Sequence, residues 1–172
     1  EGWPGVLLRE GKTLLRVPNT VNQENLGPHS KKRGSVFYNP AMSGNRTRSV
    51  ILLNYAINSG FFGEGVVYAL DGLAATGLRA RRWMNELPSS SARRLQIEIV
   101  DSNPESILWA KKTNEEIPPK NGIDSLTYTV GDLRKVVLNS GRHWVDIDPF
   151  GSPVSFIDSA IQSMARTGVL EI

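Results

Sequence analysis

From Val66 onward the chain alternates short apolar runs with stretches of helical period, and this alternation constrains the fold more than any other feature. Val66–Leu70 reads as a strand, Ala75 to Glu86 as a helix, Leu95–Val100 as a second strand, and Pro104 to Glu115 as a helix with proline in its first turn. Ser125–Val130 is an expected third strand and Trp144–Ile147 a short fourth. Val154 to Arg166 is expected to be helical, with Phe156, Ile157, Ala160, Ile161 and Met164 on one face. Gly168 then opens Val169-Leu170 as the start of a fifth strand. Units of this length join parallel strands through right-handed crossovers. The expected fold is α/β, Rossmann-like, with a doubly wound and largely parallel sheet. A sheet that stops in its fifth strand keeps an unpaired edge, so the sequence reads as part of a longer protein.

Two regions are expected. Residues 1–44 read as an irregular arm, with a small hairpin around Val6 to Leu15 turning at Glu10-Gly11, and with Pro18 to Lys32 as a flexible loop. Residues 45–172 form the α/β domain, opened by a helix on which Val50, Leu53, Asn54 and Ile57 recur and which Gly60 stops.

In an open parallel sheet, ligands bind beyond the carboxyl ends of the strands, where the strand order reverses. Acidic residues stand at those ends. The first strand runs into Asp71-Gly72-Leu73-Ala74-Ala75-Thr76-Gly77-Leu78-Arg79. Gly72 and Gly77 let the backbone approach a ligand or simply form a turn. The third glycine of a dinucleotide fingerprint is missing, which disfavours a nicotinamide oxidoreductase. Asp101 ends the second strand, where a carboxylate accepts from ribose hydroxyls or caps the next helix. Asp132 follows the third strand, in reach of an adenine amino group or, again, as a cap. On the fourth comes Asp146-Ile147-Asp148-Pro149-Phe150-Gly151-Ser152-Pro153. Asp148 offers acceptors to an amino group, Pro149 fixes the backbone, and Phe150 offers a face on which a base could stack. Acidic residues closing four successive strands follow the order found in S-adenosylmethionine-dependent methyltransferases.

Composition narrows the chemistry. The chain has no cysteine, which excludes disulfides and thiolate metal sites, and its two histidines, His29 and His143, give no metal-ligand spacing. No apolar run has transmembrane length, so a cytoplasmic protein is expected, with no membrane and no metal partner. Net charge is +3, with basic clusters at Lys31-Lys32-Arg33, Arg46 with Arg48, Arg79 with Arg81-Arg82, and Arg93-Arg94. Such clusters are solvated surface or, near one cleft, phosphate contacts. Trp83, Met84 and Trp109 sit at helical spacings and read as packing.

Three longer blocks carry a resemblance. Val36-Phe37-Tyr38-Asn39-Pro40-Ala41-Met42 with Asn45-Arg46, then Leu70 to Ala80, then Asp146 to Pro153 with Phe156 to Gln162, resemble motifs of the tRNA guanine-26 N2-dimethyltransferase family. The similarity runs from about Leu14 to the last residue. The chain departs from the family pattern at Thr47, Val100 and His143-Trp144-Val145. The resemblance implies a class I methyltransferase fold using S-adenosyl-L-methionine, with tRNA as substrate. It implies that Arg46 and Arg79 help hold the cofactor, with Asp101 on its ribose and Asp132 on its adenine. It makes Asp148 the catalytic carboxylate and has Phe37 and Phe150 sandwich the target guanine. Two other readings remain open at this point: an amino-methyltransferase acting on another nucleobase, and a non-catalytic RNA- or nucleoside-binding remnant.

Overall fold

The computed structural model describes residues 2–19, 36–122, 124–137 and 141–172. Most of the expected loop from Pro18 to Lys32, and the cluster Lys31-Lys32-Arg33, lie outside them.

The arm is more regular than its composition suggests. β1 (Val6–Glu10) and β2 (Thr13–Val17) pair antiparallel, with Glu10 opposite Thr13. The turn is therefore Gly11-Lys12, one residue later than expected. Gly11 has φ +56°, a conformation that suits a tight hairpin and that glycine adopts without strain. A short 3-10 turn, Pro40–Met42, is capped by the Asn39 side chain and leads directly into α1 (Ser43–Asn58).

Five parallel strands follow: β3 (Val67–Gly72), β4 (Leu95–Asp101), β5 (Leu126–Val130), β6 (Arg142–Ile147) and β7 (Met164–Glu171). Their spatial order is β5-β4-β3-β6-β7. The chain winds outward from β3 to β5, returns to β6 on the other side of β3, and goes on to β7. The reversal between β3 and β6 opens a crevice at their carboxyl ends. The connecting helices are α2 (Leu78–Glu86), α3 (Ser89–Ala92), α4 (Pro104–Glu116), α5 (Leu133–Val136) and α6 (Val154–Ser163).

Both faces of the sheet are covered, as double winding requires. On one face Val67, Ala69, Ile97 and Ile99 pack with Leu53 and Ile57 of α1 and with Trp83 and Met84 of α2. On the other, Leu70, Val100, Val145 and Ile147 pack with Leu133 and Ala160. Trp83 is fully buried, and its indole N–H donates to Ser49 Oγ at 3.0 Å. Burying an aromatic of this size while pairing its polar edge contributes a few kcal/mol.

Two element boundaries differ from expectation. The helix expected from Ala75 begins only at Leu78, because Gly77 takes a left-handed conformation, φ +65°, as its N-cap. The strand expected at Gly168 begins at Met164. Local pattern makes Met164-Ala165-Arg166 helical, but the helix ends at Ser163, whose hydroxyl donates to Ala160 O at 2.7 Å. Pairing with β6 extends the rest, through an irregularity between Arg142 and Trp144.

The hairpin is bound tightly to the domain. Leu15, Val17, Tyr38 and Leu78 form a small core of their own. Arg16 pairs with Glu116 at 2.7 Å. Arg81, expected as solvated or a weak phosphate contact, is buried and donates to Leu14 O, Ile117 O and the Asn114 side chain. Burial lowers its pKa to about 10. Arg93 and Arg94 donate to backbone carbonyls of Ser89, Gly63 and Gly65. Arg81, Arg93 and Arg94 thus act as internal staples.

Candidate active site

The turn after β3 is the most strained part of the described backbone. Leu73 and Ala75 have φ of +58° and +48°, values that non-glycine residues rarely take. Each costs roughly 1 kcal/mol or more, and such strain persists only where neighbours enforce it. The enforcing contacts are visible. Ala74 N donates to Val100 O at 2.9 Å, and Ala75 N donates to Asp101 Oδ2 at 2.8 Å. Asp101 Oδ1 accepts from Asn103 N at 2.8 Å. Asp101 therefore ties the turn after β3 to the end of β4, and its partly exposed carboxylate keeps further lone pairs for a ligand.

Packing alone requires glycine at position 72. A Cβ there would meet Asp146 O at 2.7 Å and the Leu133 methyls at 3.0 Å. Asp71 lies beneath the site, wholly buried, and accepts from Ala80 N at 2.9 Å, which orients the first turn of α2. Burial pushes its pKa up to about 7, against the opposing pull of the Ala80 hydrogen bond and of Arg79. The folded protein therefore keeps this proton up to about pH 7, whereas the unfolded chain loses it near 3.8. Stability from this group is complete below the lower value and is lost as pH rises through the upper one. Asp71→Asn keeps an acceptor for Ala80 N without the buried charge. Its stability relative to wild type is expected to rise between about pH 4 and 7, by up to about 4 kcal/mol. Urea denaturation of both proteins across that range checks this, and parallel stability curves would refute it.

Arg79, on the first turn of α2, is the hub of the site. Its Nε lies 2.9 Å from Asp146 Oδ2, its Nη2 3.1 Å from Asp148 Oδ2, and its Nη1 3.2 Å from Glu171 Oε1. The approach to Asp146 is close enough to pair charge but misaligned for a hydrogen bond, so Asp146 Oδ2 is buried without one. Glu171 Oε2 also accepts from Ser49 Oγ at 2.6 Å. Burial raises the pKa values of both Asp146 and Glu171 despite the guanidinium. Asp148, with its side chain 41% exposed, is the most open of the three. Arg79 thus braces the Asp148 carboxylate. Asp146 and Glu171 are site residues that sequence reasoning passed over.

Two expected site residues have other partners here, and two meet in an unexpected geometry. Arg46 is buried and makes a bidentate pair with Glu10, at 2.7 and 2.6 Å, and its Nη2 donates to Asn39 O at 2.8 Å. Glu10 also takes Arg82 Nη1 and the Tyr38 hydroxyl. This knot anchors the segment that carries Phe37. Asp132 caps α5: its carboxylate accepts from Arg134 N at 3.0 Å and from the Arg134 guanidinium at 3.0 and 2.6 Å. Those hydrogen bonds pull its pKa down to about 2. The cap alternative, not the adenine contact, is what its geometry displays. Finally, Phe37 and Phe150 do meet, but edge-to-face, with centroids 4.4 Å apart and planes at 81°. Rings at that separation leave no room for a base between them, so a sandwich requires them to part.

Among the described residues, no group of three or more His, Cys, Asp or Glu side chains could hold a metal ion, and no helix is long and apolar enough to cross a membrane.

Comparison with known proteins agrees with this geometry. A family model described as N2,N2-dimethylguanosine tRNA methyltransferase matches residues 11–172. The tRNA (guanine(26)-N(2))-dimethyltransferase of Sulfurisphaera tokodaii is 32% identical over 161 residues, covering 94% of this chain and 38% of that protein. The enzyme of the same description from Pyrococcus furiosus is 32% identical over 182 residues, covering 100% of the chain and 41% of that protein. The structure of Trm1 from Pyrococcus horikoshii with S-adenosyl-L-methionine superimposes with a TM-score of 0.68 at 25% identity, covering 96% of this chain and 41% of that one. The chain thus spans about two fifths of the relatives it matches. A match over nearly the whole chain, on a Rossmann-like sheet with its acidic corner at the switch point, places it in the N2,N2-dimethylguanosine tRNA methyltransferase family.

Proposed function

We propose that the crevice binds S-adenosyl-L-methionine and that the protein carrying this domain methylates the exocyclic N2 amine of a guanine in tRNA, at position 26, first once and then twice. In this reading residues 45–172 form the cofactor domain, the arm of residues 1–44 supplies one wall of the base pocket, and the protein works in the cytoplasm on tRNA. The observation that carries the proposal is Asp148, held by Arg79 at the switch point beside the Phe37–Phe150 pair.

The chain's residues fit such a cofactor. Asp101 uses one lone pair of each oxygen on the backbone and keeps the others for ribose hydroxyls. The left-handed turn at residues 73–77 brings main chain to the same edge. The cofactor supplies an electrophilic methyl group on a positively charged sulfur. The guanine N2 lone pair is delocalised into its ring and is a weak nucleophile. Asp148 accepts hydrogen bonds from the amine, favouring a pyramidal nitrogen aimed at the methyl carbon. Asp148 also takes the proton that the amine releases. Phe37 and Phe150 stack on the extruded base and offset its unstacking from the tRNA.

The test is turnover by the full-length protein on unmodified tRNA, followed by mass analysis of the nucleosides. N2-methylguanosine and then N2,N2-dimethylguanosine are expected, and methylated adenosine or no product would overturn the reading. Calorimetry tests the cofactor site separately. Asp101→Ala should weaken S-adenosylmethionine binding by roughly 1–3 kcal/mol, because the ribose hydroxyls lose their acceptor and the turn at Ala75 loses its anchor. Unchanged affinity would remove Asp101 from the site.

A further inference from the structure

The Arg79 cluster carries more charge than positioning Asp148 requires. One guanidinium faces Asp146, Asp148 and Glu171 directly, with Asp71 beside it in register with Asp146. Fully ionised, one positive against four negative charges would leave −3 in a largely buried space. Crowding of this kind disfavours full ionisation of the buried carboxylates Asp71, Asp146 and Glu171. Among the described residues, Arg79 is the one cation paired with these carboxylates. β3 contributes Asp71, α2 Arg79, β6 Asp146, its following loop Asp148, and β7 Glu171, while α1 contributes the neutral Ser49. Two features favour a proton within the cluster. Asp146 Oδ2 is buried without a hydrogen bond, and burial raises the pKa values of Asp71, Asp146 and Glu171.

We propose that this Arg79-centred carboxylate cluster is the proton acceptor of methyl transfer, giving up a proton when a sulfonium binds in the adjoining crevice and taking one back when that charge disappears. The inference rests on the cofactor reading above. The balance is simple. The S–C bond breaks with its electron pair left on sulfur, the N2 lone pair forms the N–C bond, and the amine proton leaves the nitrogen. The cluster loses a neighbouring positive charge in the same event, so its proton affinity rises as the proton is released. The proton enters at Asp148, which opens to the crevice, and the buried carboxylates set how firmly the cluster holds it.

The test uses calorimetric titration of the full-length protein at pH 7 in buffers of different ionisation heat. S-adenosylmethionine and S-adenosylhomocysteine differ in the charge on sulfur, which also lowers the pKa of the ligand's own amino group. The part of the difference in proton release that Asp146 and Glu171 variants remove is therefore the cluster's share. The sulfonium ligand is expected to expel a fraction of a proton, on the order of 0.5 per site, and the thioether less than half of that. Asp146→Asn and Glu171→Gln, on separate strands, should each shrink the difference at least twofold while both ligands still bind. Equal proton release by the two ligands, or a difference left intact in both variants, would overturn the proposal while leaving the cofactor site standing. Failure of both ligands to bind would overturn the cofactor reading and this inference together.

Discussion

Asp148→Ala in the full-length protein is expected to lower kcat for tRNA methylation by about 100-fold to 10,000-fold, the range associated with removing a positioned acid–base group or its electrostatic contribution. The affinity for S-adenosylhomocysteine should change little, because Asp148 faces the substrate amine in this reading and the cofactor turn is anchored by Asp101. Asp148→Asn keeps one acceptor for the amine and for Arg79, and should fall between the two. Single-turnover assays with saturating cofactor separate these cases. A near wild-type rate from Asp148→Ala would show that the acidic corner does not take part in the chemistry.

Replacing Arg79 by Met should have the largest effect on stability. The guanidinium is 5% exposed and contacts three carboxylates, so its loss leaves buried negative charge without a partner. Breaking a buried pair in this way costs about 3–5 kcal/mol. The pH dependence carries a definite sign. Without Arg79, the carboxylates of the folded state bind their protons more tightly still, while the unfolded chain is unaffected. Folded values raised above unfolded ones mean stability that is present at low pH and lost as pH rises. The deficit of Arg79→Met should therefore be small near pH 4 and grow through pH 7 and above. Urea midpoints at pH 5 and pH 8 measure it, and an equal deficit at both would refute the electrostatic account.

The architecture was legible because it is written in local pattern. Strand–helix alternation, Pro104 at a helix start and Gly60 at a helix end are short-range signals, and each stands where expected. The boundaries that moved were decided by contacts outside the segment. Gly77 turns left-handed in a loop held by Asp101, and Met164 is extended by pairing with β6. The site divides in the same way. Asp101 and Asp148 stand at strand ends and were visible as a recurring position. Glu10 and Glu171 were not, because their partners lie far away in sequence: Arg46 is 36 residues from Glu10, and Arg79 is 92 from Glu171. No pattern within a window announces such a pair. Asp132 shows the converse case, a residue in the expected place whose carboxylate also caps its own helix and pairs with Arg134.

In the proposed reading, the perpendicular contact between Phe37 and Phe150 makes the base pocket a filter for shape before any polar group is consulted. Parting two rings in edge-to-face contact costs about 0.5–1.5 kcal/mol, and every visitor meets the same threshold. A planar heterocycle recovers it by lying against both faces, whereas a sugar, a phosphate or an aliphatic side chain has no flat surface to offer. The share of molecules with the rings apart also scales the apparent affinity for every base alike. Phe150, 62% exposed and followed by Gly151 at φ +93° with open space around it, is the ring free to swing. Discrimination in this pocket then proceeds in two stages, flatness first and the amine afterwards.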